Sequence, residues 1–210
     1  MIVNHRYKFI FIRTRKVAST SVEIALSKYC DSNDIITTMG AHDGGKTRSE
    51  LGYQQPCNYT DFMPHEPAET ACKKLKYLHI WDHYFKFSII RDPFEYLISD
   101  YFWKNPNMEK SFDTFVDKNI RDKKNNWFIH TIDNKPAMDY YVRYENLIDD
   151  LNTVSKQVGL PGLLGDEVSK IHEKSQYRKN RSVGISKETY KKISQYYRSE
   201  IDLVDKLKSR

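Results

Sequence analysis

A chain of 210 residues that is 39% hydrophobic and 13% aromatic is long and apolar enough to bury one core, which excludes a disordered segment or a stapled miniprotein. The net charge of +6 is uneven: Lys170–Arg210 holds 12 Lys and Arg against 5 Asp and Glu, so the remainder is close to neutral. Such a basic end suits an anionic ligand, a polyanion or a solvated helix face.

Three cysteines without metal-ligand spacing point to a reducing compartment and no bound metal. The start, "MIVNHRYK", lacks the apolar region of a secretion signal, and no apolar run reaches membrane-spanning length. These features predict a cytoplasmic protein without a membrane partner.

In chain order, "KFIFIR" over Lys8–Arg13 reads as a buried strand. A helix is predicted over Ser19–Tyr29, where Val22, Ala25, Leu26 and Tyr29 share one face. Residues 31–64 read as a long irregular segment and Pro67–Lys76 as a helix. A second strand is predicted over Phe87–Arg91. Asp92 then caps a helix with Pro93 in its first turn and Phe94, Leu97, Ile98 and Tyr101 on one face. Ser111 caps a helix reaching about Arg121. Met138–Tyr144 reads as a third strand, Glu145–Val158 as a helix ended by Gly159, and Ser186–Leu207 as one long closing helix. Repeated strand–helix units predict a single α/β domain, a central parallel sheet flanked by helices.

The turn after the first strand, Thr14–Ala18, faces the carboxyl edge of such a sheet, where ligands bind. Free N–H groups at the next helix start, the hydroxyls of Ser19, Thr20 and Ser21 and the charge of Lys16 together suit an anion. Arg13 and Arg15 flank it. Glycine is the usual solution where φ must be positive, and it is not needed if the turn keeps to ordinary φ/ψ space.

A second phosphate-loop pattern, "GAHDGGKT" over Gly40–Thr47, is a literal match to a nucleotide-binding loop and keeps a nucleotide kinase or NTPase in play. Its context argues against it, because Gly52 and Pro56 interrupt the helix the pattern requires. A non-enzymatic polyanion binder using the basic C-terminal segment is a third reading.

Taken together, "RKVASTS" (Arg15–Ser21), "IIRDPFEYLISDYF" (Ile89–Phe102) and "VRYENLIDDL" (Val142–Leu151) resemble sulfotransferases that use 3′-phosphoadenosine 5′-phosphosulfate, especially the carbohydrate-type branch. That resemblance implies a P-loop-kinase-like sulfotransferase fold with residues 31–64 on the substrate side. It implies sulfuryl transfer by in-line attack, with adenosine 3′,5′-bisphosphate as product, no metal and no nucleic-acid partner. The acceptor would be a small molecule or oligosaccharide. Arg15, Lys16, Val17, Ala18, Ser19, Thr20 and Ser21 would hold the phosphosulfate, with Lys16 stabilising charge on the departing phosphate. Arg91 and Ser99 would hold the 3′-phosphate. Arg178, with Lys174, Lys179 and Arg181 in a late basic loop, would cover the donor.

The family usually carries Pro where this chain has Arg15, which leaves Arg13 and Arg15 as candidate contacts to an acidic acceptor. The acceptor hydroxyl must lose a proton, and a histidine suits that task. The resemblance points first to His65, ahead of the helix that precedes the second strand. His79, His83 and Glu66 are alternatives, and His42 is a substrate-side candidate.

Overall fold

The computed structural model describes residues 1–39, 45–120, 125–171 and 183–209. In chain order the elements are β1 (Ile2–Asn4), β2 (Phe9–Ile12), α1 (Ser19–Ser27), β3 (Ile35–Ile36), α2 (Gly45–Glu50), α3 (Ala68–Lys76), α4 (Ile80–His83) and β4 (Phe85–Ile90). They continue with α5 (Pro93–Lys104), α6 (Phe112–Asn119), α7 (Trp127–His130), β5 (Thr131–Ile132), β6 (Lys135–Pro136), β7 (Tyr140–Arg143), α8 (Leu147–Val158), α9 (Leu164–Ser169), α10 (Lys187–Tyr196) and α11 (Arg198–Lys208). They form two compact units, Met1–Ile90 with Asn126–Glu173, and Arg91–Asn125 with Lys174–Arg210.

The first unit holds a five-stranded sheet in the order β3-β1-β2-β4-β7. Strands β2, β4 and β7 are parallel, but β1 runs antiparallel to both β2 and β3. The expected parallel sheet is therefore corrected to a mixed one. The polar start of the chain concealed β1, a three-residue strand that reverses into β2 through a tight turn. There the Asn4 side chain accepts from the Tyr7 backbone N–H at 2.7 Å and Lys8 takes a φ of 53°.

The run "FIFI" of β2 is apolar throughout because both faces of the sheet are covered. Phe9 and Phe11 point into one core with Phe87, Ile89 and Val142, closed by Val22, Ala25 and Leu26 of α1, Leu151 and Val154 of α8 and Leu164 of α9. Ile10 and Ile12 point into the other core with Ala71 and Leu75 of α3, Trp81 of α4 and Ile129 of α7. Phe87 is fully buried among three aromatic rings, so Phe87→Ala costs about 3–5 kcal/mol through lost transfer energy and a cavity.

Several elements match their sequence signals closely. Gly159 ends α8 at a φ of 72°, a left-handed position that glycine occupies at no steric cost. The segment "VRYENLIDDL" is a clamp: the Asp150 carboxylate accepts from the Arg143 backbone N–H at 2.8 Å, from Arg143 Nε at 2.9 Å and Nη2 at 2.7 Å, and from Asn146 Nδ2 at 2.7 Å. Burial works against that carboxylate, but these donors outweigh it and hold the Asp150 pKa below its ordinary value.

The second unit packs Leu97, Tyr101 and Phe102 of α5 against Phe112, Phe115 and Val116 of α6 and Ile193 of α10. Ser111 caps α6 by accepting from the Thr114 N–H. The single helix expected over Ser186–Leu207 is two: Tyr197, at φ −99° and ψ 19°, separates α10 from α11. The hydrophobic period does not register such a break, because Tyr197 is buried on the same apolar side as Ile193.

Candidate active site

Strands β2, β4 and β7 end at one edge of the sheet, and β2 delivers the chain there into the turn before α1. The turn is anchored on both sides. Thr14 Oγ1 donates to the Ile89 carbonyl of β4 at 2.6 Å. The Asn126 side chain accepts from the Arg15 N–H at 2.8 Å and donates to the Arg15 carbonyl at 2.9 Å, so one amide holds both polar groups of that backbone unit.

The turn does not keep to ordinary backbone, although it has no glycine. Lys16 has a φ of 59° and Ala18 a φ of 58°, both in the left-handed region. Non-glycine residues pay about 1–2 kcal/mol each for that conformation, and it survives only where the surroundings enforce it. Here the anchors at Thr14 and Arg15 and the fully buried Val17 between the two strained residues do so.

Ala18 is the N-cap of α1, and no side chain caps that helix start. The first turn of α1 carries no acid either. Among the described residues, its backbone N–H groups and the positive end of the helix dipole are therefore not spent on a capping or first-turn carboxylate. The three hydroxyls differ. Ser19 Oγ donates to the Thr14 carbonyl at 2.8 Å, which turns its proton inward. Thr20 Oγ1 instead accepts from Arg13 Nη2 at 3.0 Å. Ser21 is buried in the same turn.

Arg13 is buried, and its Nε lies 3.2 Å from Glu23 Oε2 on α1. Its charge faces inward, away from the role of acceptor contact that its sequence position suggests. Arg48 Nη2 lies 3.7 Å from Glu23 Oε1, and the Met1 amino group 3.4 Å from the same oxygen. Burial lowers the Met1 amine to a pKa of about 6, with Glu23 opposing. Burial also lowers the Arg48 pKa from its ordinary value, again against Glu23. Arg15 is half-buried, with its Nε buried and unpartnered.

His65 sits between Phe62 and α3, and its Nδ1 lies 2.9 Å from the Arg13 carbonyl. A carbonyl only accepts, so Nδ1 carries the ring proton and Nε2 is the bare nitrogen. Burial and the Arg13 and Arg15 charges push the His65 pKa from 6.5 down to about 3, so the ring is neutral near pH 7.

The other candidate bases sit differently. His79 and His83 are exposed and flank or end α4, which leads into the amino end of β4, opposite the edge that carries the turn. Glu66 is fully buried; it accepts from the Met63 N–H at 2.8 Å and pairs with Lys74 at 2.6 Å. His42 lies outside the described residues.

In the second unit, Asp92 caps α5 by accepting from the Phe94 N–H at 2.9 Å and the Glu95 N–H at 3.4 Å. Arg91 is buried beside it and its Nη2 meets Glu95 Oε2 at 3.3 Å. Ser99 is half-buried one helical turn beyond Glu95 on α5. Arg178 and the other bases of its segment lie outside the described residues.

In the competing phosphate-loop pattern, Gly40–Gly44 also lie outside them. The chain then enters α2, only six residues long, and Gly52 beyond it takes a φ of 67°. Lys46 is exposed and paired with Glu50 at 3.6 Å, which is not the position of a phosphate-gripping lysine.

Sequence reasoning missed Glu23, Arg48 and Asn126. One signal was present for Glu23: it is the first carboxylate in the chain and comes after Arg6, Lys8, Arg13, Arg15 and Lys16. Nothing local marks Asn126, which is 111 residues from its partner.

Among the described residues, no group of three or more His, Cys, Asp or Glu is placed to hold a metal ion, and no helix is long and apolar enough to cross a membrane. No curated protein and no solved structure matches the chain. Residues 1–208, nearly its whole length, match the model of the sulfotransferase family, and the chain belongs to that family of sulfuryl-group transferases.

Proposed function

We propose that this enzyme transfers a sulfuryl group from 3′-phosphoadenosine 5′-phosphosulfate to a hydroxyl group, on a small-molecule or oligosaccharide acceptor of the carbohydrate type. The observation that carries this reading is the open start of α1: no side-chain cap, no acid in the first turn, and His65 held on the carbonyl of Arg13 beside it. An uncapped helix start at the carboxyl edge of parallel strands is suited to a phosphate.

The residues present fit the donor. The backbone of Lys16–Ser21 and the Thr20 hydroxyl would hold its 5′-phosphate, and the small side chain of Ala18 admits close approach. Arg91 would hold the 3′-phosphate by its planar fork, with Ser99 assisting and Glu95 giving up its pairing to Arg91. Arg178 would cover the donor from the late basic segment. The donor supplies an activated sulfuryl group.

The protein's part in the reaction is orientation, proton transfer and charge stabilisation. His65 Nε2 accepts the proton of the acceptor hydroxyl as its oxygen bonds to sulfur. Lys16 stabilises the negative charge that the departing phosphate oxygen gains as its bond to sulfur breaks. Residues 31–64 are assigned to the acceptor side, and the fold is read as the P-loop-kinase-like fold, as the resemblance implies.

The test is binding followed by turnover. Adenosine 3′,5′-bisphosphate without magnesium is expected to raise the melting temperature, by about 2.7 kcal/mol of stabilisation at a hundredfold excess over Kd. Arg91→Ala is expected to abolish that rise, and Lys46→Ala to leave it intact. With labelled donor and a panel of sugars, Lys16→Ala is expected to lower kcat by about 10²–10³-fold. Folded protein that neither binds the bisphosphate nor turns over the donor would sink the proposal. Magnesium-ATP binding lost in Lys46→Ala would favour the kinase reading instead.

A further inference from the structure

Behind the anion turn lies a charge cluster that proton transfer and sulfuryl transfer do not themselves use. Glu23 and Arg48 are fully buried, and Arg13 is 3% exposed. Two guanidiniums thus meet one carboxylate where water is excluded, Arg13 at 3.2 Å and Arg48 at 3.7 Å. The Nε, Nη1 and Nη2 atoms of Arg48 are all buried without a hydrogen-bond partner. A purely structural site of this kind is usually served as well or better by an apolar side chain of similar volume, because burying an unbalanced charge is costly. The excess positive charge therefore calls for an anion.

Arg13 connects the cluster to the turn. Its Nη2 donates to Thr20 Oγ1 at 3.0 Å. A hydroxyl oxygen that accepts from Arg13 keeps its own proton for another acceptor. Thr20 is thereby set as a donor, whereas the Ser19 proton is spent on the Thr14 carbonyl.

We propose that Glu23 and Arg48 are positioning residues for the donor: they hold Arg13 against Thr20, aim the Thr20 hydroxyl at the donor's 5′-phosphate, and leave a buried positive charge behind the turn that a bound anion offsets. This rests on the donor assignment above. It predicts that Arg48 lowers the stability of the ligand-free fold and raises affinity for the donor.

The test uses full-length protein and adenosine 3′,5′-bisphosphate. Arg48→Met keeps an unbranched apolar stem and removes the charge. It is expected to melt at or above the wild-type temperature and to bind roughly tenfold more weakly, the order of effect of losing one charge's attraction for the anion in a partly screened site. Donor KM should rise with kcat nearly unchanged, and Arg48→Lys should recover most of the affinity. Thr20→Val, which keeps the shape and removes the hydroxyl, should also weaken binding. A lower melting temperature with wild-type affinity in Arg48→Met identifies a structural role and overturns the proposal. Wild-type affinity in Thr20→Val overturns it independently, even where Arg48→Met fails to fold. If the wild-type protein itself does not bind the bisphosphate, the donor assignment fails and this inference with it.

Discussion

The start of α1 in the first unit and the start of α5 in the second share the same sequence logic, a strand, a basic residue and a helix, yet they treat their backbone N–H groups in opposite ways. At α1 no side chain caps the helix, no acid lies in its first turn, and two left-handed non-glycine residues shape the approach. At α5 the Asp92 carboxylate takes two of the free N–H groups, Pro93 has none to offer, and Glu95 adds a second acid. A helix start closed by its own carboxylates has little left for an anion. If α5 binds an anion as proposed, the contact comes from a side chain, Arg91, whereas at α1 it can come from the backbone. In the proposed reading the same layout would give two kinds of phosphate contact, one by shape and one by charge.

In the proposed reaction the two starts take different parts. The α1 start has a neutral histidine beside it, His65, with Nδ1 on the Arg13 carbonyl. His65→Ala is expected to lower kcat by about 10²–10⁴-fold, the usual contribution of a general base, with bisphosphate affinity retained. Arg91→Ala should do the reverse, weakening binding while leaving the pH profile of kcat in place. The His65 ring should titrate far below 6.5 in ligand-free protein by NMR, and move upward when the bisphosphate brings negative charge to Arg13 and Arg15. Because the folded pKa is depressed to about 3, the unfolded chain binds this proton first. The resulting stability is complete above about pH 6.5 and is lost as pH falls toward 3, so His65→Ala should flatten that part of the acid limb. A ring titrating near 6.5 in both states would contradict the assignment.

A smaller effect tests the closed start. Asp92→Ala removes the cap of α5 and is expected to cost about 0.5–2 kcal/mol. Each kcal/mol lowers the melting temperature by about 2–4 °C in a chain of this size. No equivalent substitution exists at α1, where no side chain caps the helix. An Asp92→Ala protein as stable as wild type would remove half of the contrast.

The contrast was partly legible in the sequence. Asp92 before Pro93 is a local capping signal, and the structure realises it. Gly159 closed α8 in the same local way. The strands over Phe9–Ile12, Phe85–Ile90 and Tyr140–Arg143 track their apolar runs, because short-range pattern determines which segments can be buried on both sides. The features that escaped depend on distant partners. The left-handed backbone at Lys16 and Ala18 is imposed by Thr14 reaching β4 and by Asn126 gripping Arg15, so neither residue type announces it. The burial of Arg48 depends on Glu23, which is far away in sequence and reads locally as one more polar residue on a helix that also carries Ser19, Thr20, Ser21 and Ser27. The segment 31–64, read as irregular, contains β3 and α2, elements too short for periodicity to reveal.

The smallest expected effect tests whether the open start is held under backbone strain. Ala18, at a φ of 58°, sits where glycine has no steric cost. Ala18→Gly releases about 1–2 kcal/mol of left-handed strain. It gives back about 0.4–1 kcal/mol through the greater freedom of the unfolded chain. The net expectation is a gain of up to about 1.6 kcal/mol, read as a rise of a few degrees in melting temperature, with bisphosphate affinity unchanged. Glycine in place of Pro93 should act in the opposite direction, since Pro93 already has the φ its helix needs and restricts the unfolded chain. Opposite signs for the two glycines are the outcome that a strained, open turn and a relaxed, capped one require; a destabilised Ala18→Gly would mean that the turn does not depend on the left-handed conformation at that residue.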